Sequence, residues 1–419
     1  MDKKRKQMLQ EAYNSVPMYY RLADNAGIDM ESIIENDEWE KVPFLEKDWI
    51  ISEGTSALTA EGAVLQMQGK LMYQRTSGST GKCMDIYWKK KDYNKSMLPL
   101  WYYRYRYYGI RPEDRCCFFY TIRELGKEEK RFFRDKNTLG FSKSHVSMEE
   151  LCDVLAQMRE FQPKWLMLQP SIAILLCDCM ERYNIEPIDS IKYIEFTGEI
   201  LTQTVRNMTI KHFKCQIADQ YGANEFNSIA YECPCGKKHI LSQNVLVEVR
   251  KDGKEVPSGE RGELYITSYT NSVMPLIRYR IGDYGRVTHN HSCACGNHAP
   301  ILELESGRTV DYISGPDGER ISIYALIRAV DSLNCLGEGV IKQYQFVQRA
   351  ADHIHVRLVV DDEYDENDLA GAEGKDRLCE RFLSYVEDER LRKMKFSFEF
   401  FSKLLPEETG KVRCFVKEI

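Results

Sequence analysis

The sequence has no basic excess. Its 58 Lys and Arg are outweighed by 64 Asp and Glu, a formal net charge of −6, whereas a chain built to grip nucleic acid would present a basic face. No run approaches the roughly 18 apolar residues that a membrane span requires, so no membrane partner is expected. The first residues, Met1-Asp2-Lys3-Lys4-Arg5-Lys6-Gln7, are basic, but polar and charged residues follow where a signal peptide needs an apolar core. A cytoplasmic location is the expectation. Internal repeats and low-complexity linkers are also missing, so any hinge between domains must be short.

What is present fits an ordinary globular chain, with 43% hydrophobic and 29% charged residues. The 419 residues leave room for a large domain and a smaller one, because single cores stop growing near about 250–300 residues. Fourteen cysteines are many, yet a chain this size does not need disulfide staples. Cys116, Cys117, Cys177 and Cys179 lie in apolar runs and read as small buried hydrophobes. Four others pair up as Cys-x-Cys in two Gly-containing loops.

The hydrophobic pattern changes along the chain. Residues 1 to about 70 read as helical and irregular, with Leu9, Tyr13, Val16 and Tyr20 at near-helical spacing. The aromatic stretch Trp101 to Tyr108 reads as a core-facing helix with flanking arginines. Between 110 and 200, short apolar runs (Cys116–Thr121, Trp165–Leu168, Ile191–Phe196) alternate with helix-like segments such as Ser171–Tyr183. That alternation predicts βαβ units and a largely parallel sheet. From 245 to 305, short strands and polar turns such as Lys251-Asp252-Gly253-Lys254 predict hairpins and an antiparallel or barrel-like subdomain. Beyond Gly307-Arg308, the runs Tyr344–Gln348 and His353–Val360, a charged helical stretch 363–392 and Phe396–Phe401 predict a small α+β domain. The fold class is therefore α/β, with a large N-terminal domain and a small C-terminal one.

The most informative stretch is Tyr73-Gln74-Arg75-Thr76-Ser77-Gly78-Ser79-Thr80-Gly81-Lys82. Small hydroxylated residues and glycines leave backbone N–H groups free to surround a polyphosphate, the hydroxyls add donors, and Lys82 adds a point charge. It is not a Walker A loop: three residues separate Gly78 from Lys82, and Cys83 stands where Ser or Thr would bind magnesium.

Further segments follow in order. They are Phe196-Thr197-Gly198-Glu199-Ile200-Leu201, Asp219-Gln220-Tyr221-Gly222-Ala223-Asn224-Glu225, Gly262 to Thr267, Met274-Pro275-Leu276-Ile277-Arg278-Tyr279-Arg280-Ile281-Gly282-Asp283, Gly307-Arg308 and Leu405-Pro406-Glu407-Glu408-Thr409-Gly410-Lys411-Val412-Arg413. Together with the loop they resemble the adenylate-forming superfamily of acyl-CoA synthetases, peptide-synthetase adenylation domains and luciferases. The Met-Pro-Leu-Ile-Arg-Tyr-Arg wording and the overall length are most similar to the phenylacetate-CoA ligase branch, which includes capsule-biosynthesis relatives.

The resemblance implies a two-step reaction. A carboxylate and Mg-ATP give acyl-AMP and pyrophosphate; coenzyme A then takes the acyl group and AMP leaves. It assigns Thr76, Ser77, Gly78, Ser79, Thr80, Gly81 and Lys82 to the phosphates, with Thr80 among the catalytic groups. Gly198, Glu199 and Ile200 pass alongside the adenine, and Asp219, Gln220, Tyr221, Gly222 and Asn224 belong to the nucleotide site. Glu225 would hold Mg²⁺ against the phosphates, as a hard oxygen ligand can. Asp283 would accept both ribose hydroxyls, and Arg308 would reach ribose and phosphate with its planar fork. Lys411 would bridge the substrate carboxylate and the α-phosphate, by charge neutralisation and positioning. Residues 309–419 would form a mobile lid on 1–308. The usual polar hinge residue is here Val310, with Asp311 next, which leaves the pivot open.

Cys233-Pro234-Cys235-Gly236-Lys237-Lys238-His239 and Cys293-Ala294-Cys295-Gly296-Asn297-His298 form two ligand-rich turns. Zinc takes four N or S ligands in a tetrahedron. Cys233, His239, Cys293 and Cys295 are the preferred set, with Cys235 as the substitute. The metal would pin a subdomain spanning 230–300 and contribute to folding.

Alternatives stay in view. The acyl group can pass to a carrier protein's phosphopantetheine, or the adenylate can be the product. A zinc-ribbon binding protein and a non-catalytic relative are more distant, and intact Glu225, Asp283, Arg308 and Lys411 count against the latter. The acid would sit around Phe132–Phe141 and Phe196–Tyr221; the aromatic content suits an aryl acid, although core packing explains the same residues. The oligomeric state stays open, a homodimer included.

Overall fold

In the computed structural model, the described residues are 3–76, 84–120, 132–142, 148–289, 292–308, 312–316, 320–323, 326–327, 329–330, 332–333, 341–360, 372–386, 388–404 and 413–419. The chain divides into two compact units, Met1–Gly109 with Gln220–Glu305, and Ile110–Asp219 with Ser306–Ile419.

The first unit begins with helices Lys3–Ser15, Pro17–Ala26 and Met30–Glu35. Pro17 cannot continue the first helix and suits the first position of the next. The Asp29 carboxylate accepts from the Ser32 N–H and caps the third. Leu9, Val16, Met18, Tyr19 and Ile33 from these helices share one core with Ile229, Leu264, Ile266 and Ile277. The antiparallel strands run in hydrogen-bonded order Lys254–Glu255, Val245–Lys251, Arg261–Ser268, Tyr279–Thr288, Ile301–Arg308, Lys238–Ile240 and Asn227–Glu232. Hydrophobic residues at every second position face the core (Val245, Val247, Val249; Leu264, Ile266), as a strand with one buried face requires. The predicted hairpin at Lys251-Asp252-Gly253-Lys254 is present, with Lys251 paired to Lys254.

A buried charge holds this unit together. Arg278 is fully buried. One of its guanidinium nitrogens donates to the carbonyls of Trp39 (2.9 Å), Glu40 (3.2 Å) and Val42 (2.6 Å). Another lies 3.3 Å from Glu248, and the group sits 4.4 Å from the Phe44 ring centre. Burial lowers its pKa and Glu248 opposes that. The arginine thus fastens residues 39–44 across the start of strand Tyr279–Thr288. Replacing it with methionine strands the buried carbonyls of Trp39 and Val42, and urea denaturation should show about 3 kcal/mol less stability; a change below about 1 kcal/mol would contradict this role.

In the second unit, strands Cys116–Tyr120, Thr138–Ser142, Trp165–Leu168 and Tyr193–Thr197 pair in parallel. Phe132–Arg134 adds an antiparallel edge. Helices Met148–Phe161, Pro170–Arg182 and Gln203–Phe213 supply the crossovers, so the predicted βαβ alternation is realised. Leu139, Phe141, Leu155, Met158, Leu166, Leu168, Leu176 and Phe196 fill its core, with Cys117, Cys177 and Cys179 among them. The C-terminal strands run in the order Lys395–Phe400, His353–Val360, Ile341–Ala350 and Phe415–Lys417. Helix Ala372–Ser384 belongs with them, and Phe382 meets Phe346, Phe396 and Phe398 at 5.7–6.4 Å between ring centres. This is the expected mixed α/β class.

Candidate active site and metal centre

The glycine-rich loop is held at its base by a hairpin. Strand Met72–Arg75 pairs antiparallel with Asp85–Trp88. The Thr76 N–H donates to the Met84 carbonyl (2.9 Å), and the Thr76 hydroxyl accepts from the Met84 N–H (2.9 Å). Thr76 is therefore buried as a latch across the loop's neck. Ser77, Gly78, Ser79, Thr80, Gly81 and Lys82 lie outside the described residues.

In the second unit, strand Tyr193–Thr197 ends at Gly198, and Glu199 is half-buried with Ile200 exposed before helix Gln203–Phe213 begins, capped by Thr202. The carboxyl end of a parallel strand, followed by a helix start, is where open α/β sheets bind ligands.

The Tyr-Gly-x-x-Glu segment of the first unit forms a hairpin turn. Gly222 pairs with Ser228 and Ala223 with Asn227. A Cβ on Gly222 would stand 2.2 Å from the Asn227 carbonyl oxygen, so only glycine fits that approach. The Trp88 indole N–H donates to the Asn224 carbonyl (3.2 Å), and the Gln220 amide donates to the Ser228 hydroxyl (2.8 Å). Glu225 is buried at 7% exposure, as is Asp219.

Strand Tyr279–Thr288 brings its carboxylate to the same place. Its register slips against Arg261–Ser268: Glu263 pairs with Tyr284, but Tyr265 pairs with Arg280. Ile281, Gly282 and Asp283 thus lie opposite the single residue Leu264, a bulge that re-aims their side chains. The Tyr221 hydroxyl donates to Asp283 (2.6 Å), and the Tyr279 hydroxyl donates to Glu225 (3.3 Å). Tyr221–Asp283 and Tyr279–Glu225 are thus two hydrogen-bonded pairs, each made by the same two segments about sixty residues apart. A buried carboxylate fits a hard cation such as Mg²⁺, and a half-buried one beside a tyrosine fits a diol. Tyr279 was not singled out by the sequence; its place directly before Arg280-Ile281-Gly282-Asp283 was the signal available.

The side chain of Arg308, and Val310 and Lys411 entirely, lie outside the described residues. The chain on either side of 405–412 is anchored. The Leu404 N–H donates to Gln343 (2.9 Å), and the Gln345 amide donates to the Arg413 carbonyl (3.0 Å) while accepting from Arg357 (2.8 Å).

The two cysteine turns converge. The ligand atoms of Cys233, His239, Cys293 and Cys295 all lie within 4.8 Å of one another. Cys233 and Cys293 sulfurs are 3.8 Å apart, and Cys295 Sγ is 3.3 Å from His239 Nε2. A tetrahedron with Zn–S bonds of about 2.3 Å has S···S edges of about 3.8 Å. Both turns share one construction: Gly236 N–H donates to the Cys233 carbonyl (2.8 Å) and Gly296 N–H to the Cys293 carbonyl (2.9 Å). Both glycines take positive φ, 71° and 75°, which a side chain would strain.

Surrounding groups orient these ligands. His239 Nδ1 lies 2.9 Å from the Ala299 carbonyl, which makes Nδ1 the protonated nitrogen and turns Nε2 to the sulfurs. The Asn297 N–H (3.4 Å) and the Tyr107 hydroxyl (3.7 Å) point to Cys295 Sγ. Helix Lys90–Tyr108, predicted to turn its aromatic stretch to the core, instead buries Ser96, Pro99, Leu100 and Arg104 and leaves Tyr102 and Tyr105 exposed, while Tyr107 buttresses the cysteine turns. The residue types and distances fit zinc. Burial pushes the Cys233 thiol up to about 12, so a metal entering must displace protons. Cys235 is exposed and does not join the cluster, and neither does exposed His298.

Among the described residues, no helix is long and apolar enough to cross a membrane. Comparison with known proteins gives four likenesses of one kind. The family described as CapK C-terminal domain matches residues 313–418. Protein CapK of Staphylococcus aureus is 25% identical over 368 residues, covering 85% of this chain and 76% of its own. A phenylacetate-coenzyme A ligase of Thermus thermophilus is 26% identical over 355 residues, covering 82% of this chain and 76% of its own. Among solved structures, a 2-hydroxyisobutyryl-CoA ligase in the postadenylation state superposes with a TM-score of 0.79 at 18% identity, covering 99% of this chain and 88% of that one. The last shows a shared fold; the curated relatives bear out the resemblance drawn from the motifs.

Proposed function

We propose that this relative of the phenylacetate-CoA ligase and CapK proteins is an AMP-forming acid–thiol ligase that activates a carboxylic acid as its acyl-AMP and passes the acyl group to coenzyme A. The observation that carries this reading is the paired arrangement Tyr221–Asp283 and Tyr279–Glu225. In it each tyrosine hydroxyl holds one of the two carboxylates that the family's motifs assign to ribose and to Mg²⁺. In the first step a carboxylate oxygen attacks the α-phosphorus of ATP and pyrophosphate leaves. In the second the thiol sulfur attacks the acyl carbonyl, and AMP leaves with the bonding electron pair.

This chain's residues have distinct tasks in that scheme. Asp283 accepts from the ribose hydroxyls and Glu225 holds Mg²⁺, which screens phosphate charge when bound. Residues 77–82 surround the phosphates, whereas Thr76, expected among them, is committed to Met84 at the neck of the loop. Lys411, carried on a C-terminal domain from residue 309, neutralises charge as the carboxylate approaches phosphorus and is withdrawn for the thiol step. Cys233, His239, Cys293 and Cys295 hold a structural zinc away from the chemistry.

An aryl acid is the first substrate candidate. Phe118, Tyr120 and Phe133 cluster with ring centres 5.4–6.2 Å apart, and Phe133 keeps 40% of its surface exposed. ATP–pyrophosphate exchange across a panel of aryl, aliphatic and amino acids tests the reading. Exchange is expected with at least one acid, strongest with an aryl one; silence across the panel would refute the enzyme assignment. Mass spectrometry of products with coenzyme A present or omitted then identifies the acceptor.

A further inference from the structure

Resting on the function just proposed, we propose that Tyr279 is a positioning residue that orients the Glu225 carboxylate to receive Mg²⁺ on the nucleotide. Tyr279 is 1% exposed and Glu225 is 7% exposed, so their contact is sheltered from water, where a hydroxyl–carboxylate bond is stronger than at the surface. At 3.3 Å it is longer than a relaxed O–H···O bond of about 2.7 Å. The hydroxyl donates to one carboxylate oxygen. That restricts rotation of the group about its last bond and sets the direction of the other oxygen.

The tyrosine is itself held on three sides. Its ring packs 5.9 Å from Phe226, the residue following Glu225. On the backbone side, the Leu45 N–H donates to the Arg278 carbonyl (3.1 Å) and the Arg280 N–H to the Leu45 carbonyl (3.0 Å). The next residue in the opposite direction is Arg278, locked under Phe44. A phenol mounted this rigidly aims its hydroxyl with little freedom, which preorganisation of a metal ligand requires. The N-terminal segment around Leu45 thereby reaches the nucleotide site through one hydroxyl.

Tyr279→Phe removes that oxygen and keeps the ring. In ATP–pyrophosphate exchange, the Mg²⁺ concentration for half-maximal rate should rise about fivefold and kcat should fall about fivefold, with the KM for the acid within about twofold. Calorimetric titration of ATP, with Mg²⁺ and then with EDTA, should show the affinity gained from Mg²⁺ reduced about fivefold. Adding Tyr279→Phe to Glu225→Gln should cost nothing beyond Glu225→Gln alone, because the hydroxyl then has no carboxylate to orient. A residue that only supported the fold would lower the melting temperature and leave the Mg²⁺ dependence where it was. Unchanged Mg²⁺ dependence in both measurements, with wild-type exchange intact, overturns the positioning role alone. A wild-type protein that neither exchanges nor binds ATP more tightly with Mg²⁺ overturns this proposal and the function beneath it.

Discussion

Lys411→Ala is expected to slow acyl-AMP formation about a thousandfold while leaving thioester formation from supplied acyl-AMP within about threefold of wild type. The asymmetry follows from where charge builds. In the first step an anionic carboxylate approaches an anionic phosphate, and a cation between them offsets repulsion that peaks in the transition state. In the second, a thiolate meets a mixed anhydride whose charge sits on the leaving AMP, and a lysine carried elsewhere contributes little. Leu404 and Arg413, the described residues on either side of the segment bearing Lys411, are held by Gln343 and Gln345. Single-turnover assays of the two half-reactions measure the contrast. Equal losses in both would refute the assigned role.

The second large effect concerns the metal. Purified protein should carry about one zinc per chain. Cys295→Ser should abolish binding and lower the melting temperature by about 10 °C, since a structural site adds its binding free energy to folding. Cys235→Ser should change neither, because that thiol is exposed and outside the cluster. Zinc retained by the Cys295 variant, or lost from the Cys235 variant, would replace the ligand set. Elemental analysis and a thermal melt decide between these outcomes. Binding should weaken as pH falls, since burial raises the Cys233 pKa in the metal-free site and protons compete with zinc for the thiolate.

Legibility varied with how local the cause was. The hairpin at 251–254 and the alternation of strands and helices from 116 to 213 were readable because turn chemistry and hydrophobic period act over a few residues. The charged stretch 363–392, predicted helical, carries helices Ala372–Ser384 and Glu389–Arg392 among its described residues, and 363–371 lie outside them. The four metal-ligand candidates, Cys233, His239, Cys293 and Cys295, were legible as the preferred set in two turns, and the strand pairing that sets Lys238 against Leu302 and His239 against Ile301 brings those turns together.

The sequence by itself determined the α/β class, the order of the nucleotide motifs and the chemical types of ligand each could offer, since these depend on residue identity and short spacing. The tertiary structure decided which groups meet. Tyr221 reaches Asp283 and Tyr279 reaches Glu225, Thr76 spends its hydroxyl on Met84, and Tyr107 leans on Cys295. Each of the contacts with Asp283, Glu225 and Cys295 joins residues more than fifty positions apart. Such partners are selected by strand register, bulges and core packing, and no local pattern in the chain encodes them.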